Sequence, residues 1–459
     1  MKDIENWLGV HEKEAIERLK AFCRLPSVST DPAFTLDVRR TAEFTASQLE
    51  KAGFPSVEII ETKGHPSIIG EWCDVPDAPT ILIYGHYDVQ PPDPLEKWNS
   101  SPFEPVICDD RLYARGVSDD KGPLSIPIEV VAAFHEVRGE LPINIKVIIE
   151  GEEESGSPNF AETVERLKDR LSCDLVISAD GAMWRADLPS MTVASRGLVA
   201  LEVSVQGAHK DLHSGRHGGS APNAIRALTR MLASMHDDGG NVVVDGFADT
   251  ATSPDPAIVR AIEEVNFDAG KYFDDIGAPR PDPLPSGTEL LTLQWLQPTL
   301  EFNGISGGYS GAGTKTVIPS EASVKITCRL IAGQKPDQVV ASITRHLLWA
   351  LPQGYTLDIM RRGPGSEAFS LDPALPALIV AEDVLTDILG SRPLRVAMGA
   401  TIPIGAVFAR HLGVGTIFFS FSTSDEDYHA PNEFFRLSSF RNGMIAWARL
   451  IDRLGKGFQ

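Results

Sequence analysis

The feature that most constrains the fold is a series of short apolar segments alternating with helical patterns. Thr80–Tyr84, Ile143–Ile149 and Leu175–Ala179 are apolar without a polar alternation, which is typical of strands buried on both faces. Helical periodicity over Gly122–Val137 and Pro158–Lys168 separates these segments. The pattern predicts an α/β fold with a mostly parallel sheet and helices on both faces.

A second pattern interrupts the first at residues 198–361. Its predicted order is strand, helix, strand, strand, helix, strand, which is the ferredoxin-like arrangement of an α+β domain. A stretch rich in Asp, Pro and Gly, His236–Gly287, lies inside it and contains no predicted element. The α/β pattern returns beyond it with a predicted helix over Ala374–Leu389. We therefore predict an α/β domain, 1–197 and 362–459, interrupted by a smaller inserted domain.

Charge and cysteine content narrow the class of protein. The 459 residues contain 42 Lys and Arg against 63 Asp and Glu, a net charge of -21, which repels phosphate backbones and disfavours a nucleic-acid partner. Acids near the start do not fit a signal peptide, and Arg410 and His411 interrupt the most apolar late region, so no membrane span is expected. Five scattered cysteines without a CxxC pair are typical of reduced thiols in a cytoplasmic protein.

Histidines and acids follow the predicted strands at the points where these end. His86 comes after the first strand, Glu153 and Glu154 after the second, and Asp180 after the third. Because the carboxyl ends of parallel strands meet at one edge of a sheet, these side chains are expected to converge there. Taken singly, each has a commoner structural explanation, such as a turn, a helix cap or a solvated loop.

Taken together, these residues predict a metal centre. Asp119, just before the Gly122–Val137 helix, and His429, after a further predicted strand over Thr416–Phe421, complete a set of two histidines and several carboxylates. Such a set suits two divalent ions, Zn²⁺ or Mn²⁺. A spare carboxylate beside the ligands would serve as a general base for water. The residues therefore favour a two-metal hydrolase.

Five motifs in order strengthen this interpretation: HYDVQP, RGVSDDKGP, EGEEESGS, DLHSG and YHAPNE. They resemble the motif set of the M20 family of metallopeptidases, nearest to its nonspecific dipeptidase and carnosinase-like branch. The resemblance implies a metal-dependent hydrolase that cleaves the peptide bond of dipeptides. The alternative inside the family is an amidohydrolase of N-acyl amino acids with the same metal centre. The resemblance also implies that the protein is a homodimer formed through the inserted lid domain. Its substrate would be a small molecule.

The resemblance also implies a role for each matching residue. His86 and Asp180 would bind one metal, and Glu154 and His429 the other. Asp119 would bridge both metals, with a cis peptide bond following it. Three further residues are implied to be catalytic, namely Asp88, which orients His86, Glu153, the general base, and His213, which stabilises the oxyanion across the dimer. Substrate-binding roles are implied for His213, Thr316, Arg329, Thr401 and Asn303.

The sequence gives little support to three other classes of protein. The glycine-rich segment 307–316 resembles a phosphate-binding loop, but Thr314 stands where that loop requires Gly before Lys315. A serine hydrolase would need a G-x-S-x-G elbow on a strand–helix turn, and none is found. A binding module without catalysis would leave the cluster of carboxylates unexplained.

Overall fold

The computed structural model describes residues 1–457 and divides by internal contacts into two units. The first comprises Met1–Val193, Leu371–Val396 and Val407–Gln459, and the second Ala194–Ser370 and Ala397–Ala406. The second unit therefore begins slightly before residue 198 and ends after residue 361. It also includes 397–406, which the sequence pattern assigns to the α/β domain.

The strands, in chain order, are β1 (Ser56–Ile60), β2 (Ser67–Trp72), β3 (Thr80–His86), β4 (Val106–Cys108), β5 (Arg111–Tyr113), β6 (Asn144–Glu150), β7 (Leu175–Ser178), β8 (Ser190–Ser195), β9 (Gly197–Gln206), β10 (Leu212–His213), β11 (Thr299–Gly307), β12 (Val317–Ile318), β13 (Glu321–Leu330), β14 (Thr356–Arg361), β15 (Phe369–Ser370), β16 (Leu394–Met398), β17 (Thr416–Phe418) and β18 (Phe434–Arg436). The helices are α1 (Lys2–Val10), α2 (Glu12–Cys23), α3 (Thr35–Lys51), α4 (Gly122–Arg138), α5 (Phe160–Arg166), α6 (Ser214–His217), α7 (Ala224–Ala233), α8 (Pro256–Glu264), α9 (Ala269–Asp275), α10 (Gly287–Leu296), α11 (Pro336–Ala350), α12 (Pro376–Leu389), α13 (Pro403–His411) and α14 (Leu437–Leu454).

The first unit is built on a six-stranded sheet in the order β1-β2-β6-β3-β7-β17. The last four of these strands are parallel, and β1 and β2 add an antiparallel edge. Tyr84 of β3 contacts Phe160 of α5, whereas a Cβ on the adjacent Gly85 would meet Leu124 of α4. Because neighbouring strand residues point to opposite faces, helices cover both faces, which confirms the predicted fold class.

The second unit is built on a four-stranded antiparallel sheet in the order β11-β13-β9-β14. Burial alternates along β9, and its inward residues pack with α7 and α11 in one apolar core. Val203 of β9, Leu228 of α7 and Ile343 of α11 are all fully buried there. With strand–helix–strand–strand–helix–strand connectivity, this arrangement confirms the ferredoxin-like insertion.

The stretch His236–Gly287, in which no element is predicted, contains α8 and α9 and the start of α10. Three of its polar residues, Asp255, Asp268 and Ser286, are N-caps of these helices. The Asp255 side chain accepts a hydrogen bond from Ala257 N and so caps α8, which begins with Pro256. Ser286 forms a capping box with Glu289 at the start of α10. Across residues 1–457, no helix has the length and apolar character needed to cross a membrane.

Candidate metal centre

His86 is fully buried at the carboxyl end of β3, where its two ring nitrogens face two different carboxylates. Nε2 lies 2.9 Å from Oδ1 of Asp119, and Nδ1 lies 3.3 Å from Oδ1 of Asp88. Burial opposes the charge on the imidazole, but hydrogen bonds to Asp119 and Asp88 raise its pKa well above the usual value. Asp88 therefore orients the ring through Nδ1, which leaves Nε2 directed toward Asp119.

Asp88 also shapes the turn that follows β6. Its two carboxylate oxygens accept from the backbone N–H groups of Glu153, at 3.2 Å, and Glu154, at 3.1 Å. One buried carboxylate thus fixes both His86 and the pair of glutamates. This geometry is what the orienting role predicted for Asp88 requires.

The described residues contain two groups whose ligand atoms lie within 4.8 Å of one another. The first consists of His86, Asp119 and Asp180, and the second of Asp119, Glu154 and His429. Nε2 of His429 lies 2.9 Å from Oδ2 of Asp119 and 3.2 Å from Oε2 of Glu154. The structure therefore brings together all five residues predicted as metal ligands, with Asp119 shared.

In this cluster, several carboxylates lie close together and largely out of contact with water, which shifts their pKa values. Burial, with the charge of Asp119 adding to it, raises the pKa of Asp180 to about 6 and that of Glu154 to about 7. Burial also opposes the charge on Asp119, yet hydrogen bonds from His429 and His86 hold its pKa well below the usual range. A cluster of this kind is costly without a compensating cation, and its imidazole and carboxylate ligands suit divalent ions.

Glu153 lies beside the cluster but in neither ligand group. Burial raises the pKa of its carboxyl well above the usual value, and the charges of Asp180 and Asp119 add to the effect. The side chain is half-buried on the short turn Glu153–Ser155. The Asp119–Asp120 peptide bond is cis, as the family resemblance implies.

Some residues of this region carry no assignment from the sequence. Nε2 of Gln90 donates to Oε2 of Glu154 at 2.8 Å, and the Asp120 carboxylate accepts from His86 N at 3.2 Å. Glu433 accepts from the backbone N–H of Asp119 at 3.2 Å. All three lie inside the quoted motifs, so motif membership is the signal that would have found them.

The predicted substrate-binding residues all belong to the second unit. Four of them lie next to one another as two pairs, Arg329 with Thr401 and His213 with Thr316. The Arg329 guanidinium donates to the Thr401 hydroxyl at 2.7 Å, and burial lowers its pKa. His213 of β10 pairs with Val317 of β12, and Ser214 N donates to Thr316 O at 3.0 Å. His213 and Thr316 are therefore neighbours.

Asn303, the fifth predicted substrate-binding residue, is exposed at a bulge in β11 between Phe302 and Gly304. The glycine-rich segment 307–316 joins β11 to β12 and leads into no helix. A phosphate-binding loop needs a helix N-terminus directly after it. The segment 307–316 is therefore not a phosphate-binding loop of this kind.

Comparison with known proteins agrees with this geometry. A sequence model of the peptidase family M20/M25/M40 matches residues 82–453. The chain belongs to this family. It is therefore a hydrolase of the peptidase class, as the ordered motifs predicted.

Three similar proteins cover nearly the whole chain. The Beta-Ala-His dipeptidase of Rattus norvegicus is 26% identical over 99% of this chain and 96% of its own length. The Cys-Gly metallodipeptidase of Saccharomyces cerevisiae is 26% identical over 95% of this chain and 94% of its own. Among solved structures, the M20 family metallo-carboxypeptidase Sso-CP2 of Sulfolobus solfataricus has a TM-score of 0.86 and 26% identity, covering 96% of this chain and 99% of its own.

Proposed function

We propose that this protein is a metal-dependent dipeptidase. The observation that carries the proposal is the pair of ligand groups that share Asp119, with the Glu153 carboxyl beside both and in neither. Relatives that match almost the full chain are named as dipeptidases, which supports a dipeptide substrate. The arrangement suits hydrolysis, because it combines sites for two cations with a carboxylate, Glu153, that is not a ligand and can act as a base.

In this proposal, His86 and Asp180 would hold one ion, Glu154 and His429 would hold the other, and Asp119 would be shared between them. Zn²⁺ or Mn²⁺ fits the imidazole and carboxylate ligand set. When bound, the two ions would polarise the scissile carbonyl and make water a better nucleophile near neutral pH.

Glu153 acts as the general base. Its carboxylate accepts a proton from the attacking water and passes it to the amine of the departing amino acid. Asp88 supports this step because it holds both the His86 ring and the backbone of Glu153. Asp88 thereby positions Glu153 relative to His86 of the first ligand group.

The second unit supplies the contacts that select the substrate. The Arg329 guanidinium binds the substrate carboxylate, since it is half-buried and no carboxylate of residues 1–457 forms an ion pair with it. Thr401 orients this guanidinium through its hydroxyl. Asn303 and Thr316 complete the substrate contacts.

We further propose a homodimer in which His213 stabilises the oxyanion in the partner subunit's site. In support, β11 is an edge strand of the four-stranded sheet, and its residues beyond Phe302 are exposed. An unprotected edge strand is a common site of pairing between chains. The five cysteines are free, which supports a cytoplasmic location.

A hydrolysis panel tests the substrate class. The chelated protein, reloaded with Zn²⁺ or Mn²⁺, is offered dipeptides, tripeptides, N-acetyl amino acids and N-succinyl compounds. We expect dipeptides to be cleaved fastest, and only after metal is restored. Preferred cleavage of N-acyl amino acids would establish the amidohydrolase alternative, and preferred release of the last residue of tripeptides would establish a carboxypeptidase.

A further inference from the structure

A buried carboxylate that is neither a metal ligand nor the base lies directly behind Asp119. Glu433, 1% exposed, belongs to the segment that follows His429. Its Oε1 accepts from the backbone N–H groups of Ser118, at 2.8 Å, and Asp119, at 3.2 Å. Its Oε2 accepts from the Arg115 guanidinium at 2.7 Å and from Gly116 N at 2.8 Å. All four donors come from the loop 115–119.

These bonds connect two parts of the chain that carry ligands of the second group. The loop 115–119 carries Asp119, and His429 lies four residues before Glu433 in the sequence. Asp119 and Glu433 are 314 residues apart in the chain. Hydrogen bonds to an ionised carboxylate are stronger than those between neutral groups, so this contact holds the two parts of the chain in a fixed relative position.

A second buried glutamate, Glu426, comes shortly before His429 in the sequence and contacts the same loop. Oε2 of Glu426 accepts from the Ser118 hydroxyl at 2.6 Å, and the Ser422 hydroxyl donates to Ser118 O at 2.7 Å. The other oxygen of Glu426 faces the Arg436 guanidinium at 3.1 Å. The loop that presents Asp119 is therefore held on consecutive residues by the segment that presents His429.

We infer that Glu433 is a positioning residue that sets the placement of Asp119 relative to His429 and thereby the affinity of the centre for metal. This inference rests on the proposed ligand roles. Glu433 does not bind an ion itself, because both its oxygens are occupied by donors of the loop. Unlike the ion pair with Arg115, the three bonds from backbone N–H groups hold the peptide groups that lead into and include Asp119.

The test variant is Glu433→Gln, which keeps the size of the side chain but turns an amide N–H₂ toward groups that are themselves donors. The matched control is Glu382→Gln. Glu382 is also 1% exposed and pairs with Arg392 and Arg395, but its carboxylate contacts neither ligand group. Both changes remove the charge of a buried, arginine-paired glutamate.

Each protein is stripped with chelator, dialysed and titrated with Co²⁺, with the visible spectrum and bound metal measured at each step. Loss of a partner that orients a metal ligand typically costs 10–100-fold in metal affinity, so we expect a loss of about that size for at least one ion in Glu433→Gln, with an altered Co²⁺ spectrum. The control should bind two ions with wild-type affinity even where its melting temperature falls.

If Glu433→Gln binds both ions like the wild type and only melts earlier, as the control does, the inference is overturned while the ligand roles stand. If the wild type binds no ion, the ligand roles fall and the inference falls with them. Should Glu433→Gln not fold, Glu433→Asp keeps the charge near Arg115 but shortens the reach to Ser118 and Asp119. The same loss of affinity is expected for it, and wild-type affinity would overturn the inference.

Discussion

Asp119 directs its two carboxylate oxygens toward two histidines that come from opposite ends of the sequence. Oδ1 lies 2.9 Å from Nε2 of His86, and Oδ2 lies 2.9 Å from Nε2 of His429. The same side chain therefore belongs to both ligand groups. Next to it, adjacent glutamates differ in environment, since Glu154 contacts His429 and Glu153 does not. The contacts of each side chain therefore support different proposed roles for the two glutamates, Glu154 as a metal ligand and Glu153 as the general base.

At this scale we expect Glu153→Gln to keep two ions per chain and to lose turnover by about 10²–10⁴-fold, the usual cost of removing a general base. Glu154→Gln should instead lower metal affinity, because its carboxylate faces His429. Steady-state rates and metal analysis of the two variants separate the roles. Loss of an ion from Glu153→Gln at a near-wild-type rate would mean that the two roles are exchanged.

At the scale of elements, the turn between β5 and α4 depends on a glycine with a left-handed backbone. Gly116 has φ +78°, and a Cβ placed there would lie 2.1 Å from Cγ1 of Val89. Gly139 ends α4 with a similar φ of +71°, but a Cβ there would meet nothing within 4 Å. These two glycines share a backbone conformation and differ only in their surroundings.

We therefore expect Gly139→Ala to lower the free energy of unfolding by about 1–2 kcal/mol, the cost of a left-handed alanine. Gly116→Ala should add an overpacking cost of about 1–3 kcal/mol to the same conformational cost. Urea unfolding of the metal-free proteins provides the comparison. Equal losses in the two variants would show that the contact with Val89 is relieved without cost.

At the scale of the whole molecule, the chain carries a net charge of -21, and several of its acids meet at the candidate metal centre. Burial raises the pKa values of Asp180 and Glu154, which shows that their ionised forms are disfavoured without a cation. Bound metal would relieve this repulsion. The metal centre should therefore contribute to stability as well as to catalysis.

Chelation is expected to lower the melting temperature, and Zn²⁺ or Mn²⁺ to restore it. Metal at 100 times its dissociation constant stabilises the folded state by about 2.7 kcal/mol per site. Asp119→Asn supplies the control, because it removes the shared ligand and should respond weakly to added metal. An equal gain in melting temperature for the variant and the wild type would argue against a centre built on Asp119.

The proposed dimer makes its own prediction for mixed assemblies. His213→Ala and Glu153→Ala are each expected to be inactive alone. If His213 acts in the partner's site, a mixed dimer contains one intact site and one with both changes. Random pairing makes half of the dimers mixed, so co-expression should restore about a quarter of wild-type activity. No recovery, with mixed dimers shown to be present, would contradict the shared site.

The sequence by itself determined the fold class, because strand and helix periodicity are local properties. Uninterrupted apolar runs identified β3, β6 and β7 as buried strands, and the strand–helix order identified the ferredoxin-like unit. It also predicted which side chains would meet, since parallel strands end at one edge of a sheet. For this reason the sequence alone groups His86, Glu154 and Asp180.

Tertiary structure alone decided what depends on contacts between distant parts of the chain. The antiparallel edge formed by β1 and β2 follows from strand pairing, which local patterns do not encode. Helices α8 and α9 escaped prediction because their capping residues resemble those of loops. The contact between Glu433 and Asp119 spans 314 residues, and only the folded chain brings that carboxylate beneath the loop it holds. Sequence spacing carries no information about such a distance.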